Sequence, residues 1–320
     1  MDQTNQPYHV AVMADEIVEL FAPLSGLIVD GTFGGGGHTR ALLAGSTTLR
    51  ILAIDRDPEA ASRAERIDDP RLTFVPGNFA DLESLLAGLP DDGDGDGGGR
   101  RLCGVLLDLG VSSRQLDEPQ RGFSYHKAGP LDMRMGPDAP HTADEIVNTW
   151  SERQLVDIFR MYGEERFARR IAAAIIAARP IGDTASLARI VADAVPAPAR
   201  RRRHPARRVF QSIRIAVNGE LDALRVGLEA ATRLVRPGGR VAVISYHSLE
   251  DRIVKRHFAA GTTGCVCPPD LPVCTCGRVA EWRSLARKPL RPGEAEVERN
   301  PRSRSARLRA VEKLEPPEAA

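Results

Sequence analysis

The stretch Leu27-Ile-Val-Asp-Gly-Thr-Phe-Gly-Gly-Gly-Gly-His38 decides how the rest of the chain is read. A short apolar run, Leu27 to Val29, meets an acid and then five glycines within seven positions. Such a run predicts a strand of a parallel sheet covered on both faces. The glycines predict a turn whose backbone adopts positive φ or lies against a ligand. Thr39 to Leu43 opens a helix, so the order is strand, glycine loop, helix. A helix N-terminus offers unpaired N–H groups and a partial positive charge to a polar ligand.

The dinucleotide spacing G-x-G-x-x-G fails here, because counting from Gly34 puts Gly36 in place but Thr39 where the third glycine belongs. The spacing that fits is acid-x-x-x-Gly-x-Gly at Asp30, Gly34 and Gly36, similar to the first-strand motif of Rossmann-type S-adenosylmethionine (SAM) methyltransferases. Arg50 to Asp55 predicts a second strand. Asp55 falls 19 residues beyond Gly36, where such folds place an acid that accepts from ribose hydroxyls. Asp57-Pro58 offers a cap to the helix that follows, which leaves Asp55 free for a ligand. Leu72 to Val75 predicts a third strand, and Phe79 beyond it lies either against a flat ring or in the core. Leu102 to Leu109 predicts a fourth strand that releases Asp108. Phe210, Ile213, Val217, Leu221, Leu224 and Leu228 share one face of a single long helix, stopped by Arg236-Pro-Gly-Gly239 before a fifth strand, Arg240 to Ser245. Glu281 to Leu290 and Arg304 to Leu314 predict a final antiparallel pair. The fold class is α/β: a doubly wound, mostly parallel, seven-stranded sheet that binds ligands outside the C-terminal ends of its strands.

The alternation stops between the fourth and fifth strands. Thr142-Ala-Asp-Glu145 and Ser151-Glu-Arg-Gln154 have capping-box spacing, and three helical stripes follow, around Leu155, Ile171 and Leu187. The expected organisation is therefore a discontinuous sheet domain, 1–116 with 210–320, and an all-α insertion, 117–209. Net charge is +1, with 40 arginines and four lysines against 43 acids. The arginines cluster: Arg200 to Arg203, Arg207, Arg208 and Arg214 form a run without an acid, which favours a phosphate-facing surface. Arg278 to Arg309 holds ten basic residues against four glutamates. Pro90 to Gly99 reads as a solvated connector, since an EF-hand counted from Asp92 needs glutamate where Cys103 stands. No apolar run approaches the ~18 residues of a membrane helix, and no secretory leader is evident, so a reducing, cytoplasmic setting is expected. Cys265-Val-Cys267 and Cys274-Thr-Cys276 form C-x-C-x6-C-x-C. Four thiolates so spaced can wrap a zinc ion, although structural sites usually leave two residues within each pair, so reduced thiols are the first reading and zinc the second.

Together these stretches resemble the bacterial ribosomal RNA small-subunit methyltransferase H family, also called MraW. The carriers are Asp30-Gly-Thr-Phe-Gly with Gly36-Gly-His38, Ala53-Ile-Asp-Arg-Asp57, Leu106-Leu-Asp-Leu-Gly-Val-Ser-Ser113 with Gln115, and Arg121-Gly-Phe-Ser124. Gly129-Pro-Leu-Asp-Met-Arg-Met135, Tyr162-Gly-Glu-Glu-Arg166, His247-Ser-Leu-Glu-Asp-Arg252 and Asn300-Pro-Arg-Ser-Arg-Ser305 extend it along the chain. The resemblance implies transfer of a methyl group from SAM to N4 of a cytidine in the decoding centre of 16S rRNA, within the small ribosomal subunit. It implies cofactor contacts from Gly36, Gly37, His38, Asp55, Phe79, Asp108 and Gln115. DNA enzymes that methylate amino groups carry an Asn/Asp/Ser-Pro-Pro-aromatic motif after the fourth strand. Asp108-Leu-Gly-Val111 stands there instead, so Asp108, Ser245, His247 and a backbone carbonyl all remain candidates for the catalytic acceptor. The alternative is a SAM-dependent methyltransferase acting on another RNA or on a small molecule.

Overall fold

The computed structural model describes residues 11–89, 101–200, 204–268 and 275–316. The connector at 90–99, Arg201 to Arg203 of the basic run and Cys274 lie outside the described residues. The chain packs as two units, Met1–Gly110 with Asp222–Ala320, and Val111–Leu221.

The first unit is built on seven strands: β1 Gly26–Asp30, β2 Leu49–Asp55, β3 Leu72–Pro76, β4 Leu102–Asp108, β5 Val235–Ser245, β6 Trp282–Ser284 and β7 Arg307–Lys313. Their order across the sheet is β3-β2-β1-β4-β5-β7-β6. Strands β1 to β5 pair in parallel, while β7 runs antiparallel to both β5 and β6. The expected terminal pair is present, but β6 is only three residues long, with Leu290 adding an isolated bridge to Leu308. Successive strand residues point to opposite faces, and the core follows that alternation. Val29, Leu52, Ile54, Val105, Leu107, Val241 and Val243 pack on one face with Leu224, Leu228 and Phe258. Ile28, Ile51, Leu106, Ala242 and Ile244 pack on the other with Ile17, Phe21 and Leu42. With both faces covered, the polar ends of the strands are where chemistry can sit. The strand order reverses direction between β1 and β4, which is the switch point at which doubly wound sheets bind ligands.

The second unit is helical, comprising Ala143–Thr149, Glu152–Met161, Ala168–Ala177, Thr184–Ala194, the short Ala197–Arg200 and Ala206–Asn218, after the five-residue turn Ser113–Asp117. Its core gathers Ile146, Leu155, Phe159, Ile171, Ile175, Leu187, Val191, Phe210 and Ile213. Ser151 and Gln154 form the full capping box. Thr142 forms only half of one: its hydroxyl accepts from the Glu145 amide, while the Glu145 carboxylate turns to His141 Nδ1 at 2.9 Å. The single helix expected from Phe210 to Leu228 is in fact two, Ala206–Asn218 and Glu220–Leu234. Gly219 stands between them at φ 61°, as the left-handed residue that ends a helix. Phe210, Ile213 and Val217 serve the helical core, whereas Leu224 and Leu228 serve the sheet. The units accordingly divide at 110/111 and 221/222, not at the expected 116/117 and 209/210. Among the described residues no helix is long and apolar enough to cross a membrane.

Asn218 organises the irregular segment of the helical unit. Its buried amide donates to the carbonyls of Met133 (2.8 Å) and Arg214 (2.9 Å), and its oxygen accepts from the Met135 amide at 2.8 Å. Asn218→Ala leaves buried backbone groups without partners, so urea unfolding should show a loss of about 2–4 kcal/mol. A loss under about 0.5 kcal/mol, the range of ordinary surface changes, would contradict this role.

Candidate functional site

The glycine loop is held from below by Asp30 and from the side by Asp55. Asp30 is fully buried at the end of β1, accepts from the Thr39 hydroxyl at 2.7 Å and lies 3.3 Å from the Thr32 amide. Burial pushes its carboxyl above the usual range, against the opposing pull of His38 and Thr39. Gly34 and Gly36 take φ of 54° and 76°, a region open mainly to glycine. A Cβ on Gly36 would meet the Phe33 ring at 2.7 Å. That ring is itself buried, edge-on to Phe74 at 5.5 Å. Gly36 is the N-cap of the helix Gly37–Gly45, which carries His38 in its first turn.

Asp55 ends β2 next to this loop. Its Oδ2 accepts from the Gly34 amide at 2.6 Å and its Oδ1 from the Asp57 amide at 2.8 Å. The expectation that a cap at Asp57 leaves Asp55 free is corrected: Asp57 does accept from the Glu59 amide, but Asp55 also anchors two backbone donors. A carboxylate has about four lone-pair positions, so two remain to accept from a ligand's hydroxyls. Burial pushes its carboxyl up to about 6, against the lowering effect of the two amides.

Asp108 ends β4, across the switch point from β2. Its amide donates to Thr32 Oγ1 at 2.6 Å, tying β4 to the loop that leaves β1. Its Oδ1 accepts from the Tyr246 hydroxyl at 2.9 Å, and its Oδ2 lies 3.7 Å from His38 Nδ1. His38 Nε2 is 2.9 Å from the Val12 carbonyl. A carbonyl only accepts, so Nε2 carries a proton and Nδ1 is the ring nitrogen that faces Asp108. Burial pushes Asp108 up to about 6, despite the nearby His38 and Tyr246, and burial with the Asp108 charge raises the Tyr246 hydroxyl further still.

The other expected site residues take different places. Phe79 is half-buried at the exit of β3, where a Cβ on Gly31 would lie 3.1 Å from its Cβ and one on Gly227 would lie 2.4 Å from its ring. Gly31 and Gly227 are thus the positions that let this aromatic ring settle beside the loop. Ser245 is buried and donates to the Arg307 carbonyl at 3.4 Å. His247 caps the helix Ser248–Thr262: its Nδ1 accepts from the Glu250 amide, while Glu250 accepts from the amides of Tyr246 and His247. His247 Nε2 is 3.0 Å from Glu250 Oε1 without hydrogen-bond geometry. Gln115 belongs to the helical unit, is buried, and closes a capping box with Ser112.

Two participants have little or no signal in the sequence. Tyr246 supplies an aromatic hydroxyl to Asp108 from the end of the neighbouring strand β5, and its ring lies 3.8 Å from where a Cβ on Gly110 would stand. Its signal is the pairing of β4 with β5 together with His247-x-x-Glu250, a capping box with histidine in the place of serine. Thr32, inside the glycine stretch, has no signal beyond its hydroxyl.

Among the described residues of the two basic runs, some arginines are engaged within the protein. Arg214 is spent in a two-pronged pair with Glu220, both contacts 2.8 Å, and Arg208 donates to the Glu164 carbonyl. Arg307 and Arg309 both grip buried Asp251 at 2.7 Å, holding β7 against the helix Ser248–Thr262. Arg207, Arg208, Arg278, Arg283, Arg287, Lys288, Arg291, Arg299, Arg302 and Arg304 are exposed.

A family model described as the MraW methylase family matches residues 6–314. The ribosomal RNA small subunit methyltransferase H of Symbiobacterium thermophilum is 50% identical over 326 residues, covering 98% of this chain and 99% of that protein. The protein of the same name from Carboxydothermus hydrogenoformans is 45% identical, covering 96% and 98%. Among solved structures, an rRNA methylase from Streptococcus thermophilus aligns over 98% of this chain and 100% of its own at 11% identity and a TM-score of 0.41.

The raised carboxyl of Asp108 has a stability consequence. The folded group holds its proton up to about pH 6 and the unfolded one only to the usual carboxylate range near 4, so the stability that Asp108 contributes falls as pH rises through that window. Asp108→Asn removes the buried charge yet keeps an acceptor for Tyr246. In urea unfolding, its effect relative to the native protein should be more favourable at pH 7.5 than at pH 4.5 by about 1–2 kcal/mol. An equal effect at both pH values would contradict the raised carboxyl.

Proposed function

The chain belongs to the MraW methylase family, and from that premise we propose that it transfers the methyl group of SAM to the exocyclic N4 of a cytidine in the decoding centre of 16S rRNA, with the small ribosomal subunit as its partner in the cytoplasm. The observation that carries this reading is identity of 45–50% over nearly the whole chain with proteins named ribosomal RNA small subunit methyltransferase H. The geometry around the switch point supports it. A loop of left-handed glycines, a carboxylate with open lone pairs at the end of β2 and a second carboxylate at the end of β4 suit a nucleoside bearing an amino-acid tail.

In this reading Gly36, Gly37 and His38 line the path of the cofactor's amino-acid part. Asp55 accepts from its ribose hydroxyls, and Phe79 lies against its adenine. The cofactor supplies an electrophilic sulfonium methyl, so the protein needs alignment and no covalent intermediate. N4 of cytosine is a weak nucleophile because its lone pair is conjugated into the ring. An acceptor for one N4 hydrogen localises that pair. Asp108 suits this role best of the three side-chain candidates, because its side chain is 23% exposed and its carboxylate is held in place by Tyr246. The side chain of His247 is 12% exposed and occupied as a helix cap, and Ser245 is buried with its hydrogen directed at a carbonyl. As the N4–methyl bond forms and the sulfur–methyl bond breaks, Asp108 takes the N4 proton and passes it to water, while S-adenosylhomocysteine leaves. A carboxyl near 6 is ionised at neutral pH and still a better base than a surface aspartate. The target base must be unstacked before it can enter, and the exposed arginines are suited to gripping folded RNA backbone.

Incubation with labelled SAM and small subunits lacking the modification should place the label on N4 of one decoding-centre cytidine, read by mass spectrometry of rRNA fragments. Asp108→Asn should lower kcat by about 10²–10⁴-fold. Label on another base or on a small molecule would favour the alternative substrate. No label on any RNA would overturn the reading.

A further inference from the structure

The cysteine segment plays no part in the proposed methyl transfer, and its geometry is independent of that reading. The Sγ atoms of Cys265, Cys267 and Cys276 all lie within 4.8 Å of one another. Cys265 and Cys276 are 3.8 Å apart, sulfur to sulfur. Two thiolates on a tetrahedral zinc at ~2.3 Å each stand about 3.8 Å from one another, whereas a disulfide would bring them to about 2.05 Å. The Cys267 amide donates to Cys265 Sγ at 3.4 Å, and Cys267 Sγ lies 3.8 Å from Thr275 Oγ1. Gly277, directly after the last cysteine, takes φ 59°, a conformation open mainly to glycine. Cys103, by contrast, is a buried core residue of β4 whose thiol faces the Leu27 carbonyl.

The cluster sits where two elements need joining. The helix Ser248–Thr262 ends just before Cys265, and β6 begins just after Cys276. Arg278 donates to the Ala260 carbonyl at 2.6 Å and the Glu281 amide donates to the Gly261 carbonyl at 3.0 Å, so the returning chain is laid back on the helix end. A three-residue strand on the sheet edge has few ladder bonds of its own, and a metal at its entrance would supply what its length does not.

We propose that Cys265, Cys267 and Cys276 bind a single zinc ion as thiolates, and that this zinc is a structural clasp fastening the chain that enters β6 to the end of the helix Ser248–Thr262. Soft sulfur donors select zinc over magnesium or calcium. Cys274 is a further thiol of the same segment and lies outside the described residues.

The test is elemental analysis of the full chain, purified without chelator or metal-affinity resin. About one zinc per chain is expected, falling at least fivefold in the Cys265→Ser/Cys276→Ser double variant. Should that variant fail to fold, cobalt(II) added to the metal-stripped native chain decides. Sulfur-to-cobalt charge-transfer absorbance with the intense visible bands of a tetrahedral thiolate site is the supporting result. A zinc-free native chain that gives no such spectrum overturns the proposal. So does undiminished zinc in a folded double variant, or a mass two daltons low under non-reducing conditions that marks a Cys265–Cys276 disulfide as the native state.

Discussion

The hydrogen bond from the Gly34 amide to Asp55 Oδ2 is the contact on which the rest of the site depends. It joins the loop leaving β1 to the end of β2, and so converts two neighbouring strand ends into one rigid edge. A glycine loop alone has many conformations, and its entropy on ordering is high. A charge-assisted bond to a carboxylate that is itself clamped by the Asp57 amide removes much of that freedom. The raised carboxyl of Asp55 records the cost of this arrangement: the group is kept ionised by backbone donors in a place where burial opposes the charge.

The second strand end is fixed from the opposite side of the sheet. Asp108 is reached by Thr32 from the β1 loop and by Tyr246 from β5. Tyr246 is in turn set by Glu250, whose carboxylate accepts from the Tyr246 amide in the first turn of the helix Ser248–Thr262. The next residue, Asp251, pairs with Arg307 and Arg309 of β7. A path of charged hydrogen bonds thus runs from the antiparallel edge of the sheet to the acid at its centre. Strand β7 holds the helix whose first turn receives the Tyr246 amide, and contributes no group to the site itself.

Much of this is legible in the sequence, for identifiable reasons. Parallel strands covered on both faces are continuous apolar runs, and each here ends on an acid or a turn, so the residues flanking Asp30, Asp55 and Asp108 are enough to put all three at strand ends. The glycine spacing separates this loop from dinucleotide-binding loops. Pairing across elements is what the sequence hides. Nothing local to Tyr246 says that its hydroxyl meets Asp108, since that follows only from β5 lying beside β4. Arg214 looks free because its partner Glu220 lies six residues on, across a helix break that Asn218-Gly219 signals only weakly. Gln115 is expected only as a cofactor contact, and the structure uses its side-chain oxygen in the cap with Ser112. Asp55 looks free because a cap is available next door, and sequence does not reveal that one carboxylate serves both loop and helix entry.

On the proposed function, the Asp55 carboxylate at the end of β2 receives the cofactor in its ionised form. Equilibrium binding of SAM measured between pH 5 and 7 tests it most directly. Affinity should rise with pH and level off above about 6, falling by up to tenfold per pH unit below it, while Asp55→Asn should bind more weakly and with a flatter profile. An affinity of the native protein that does not change across this range, or an Asp55→Asn variant that binds as tightly as the native chain, would contradict the account.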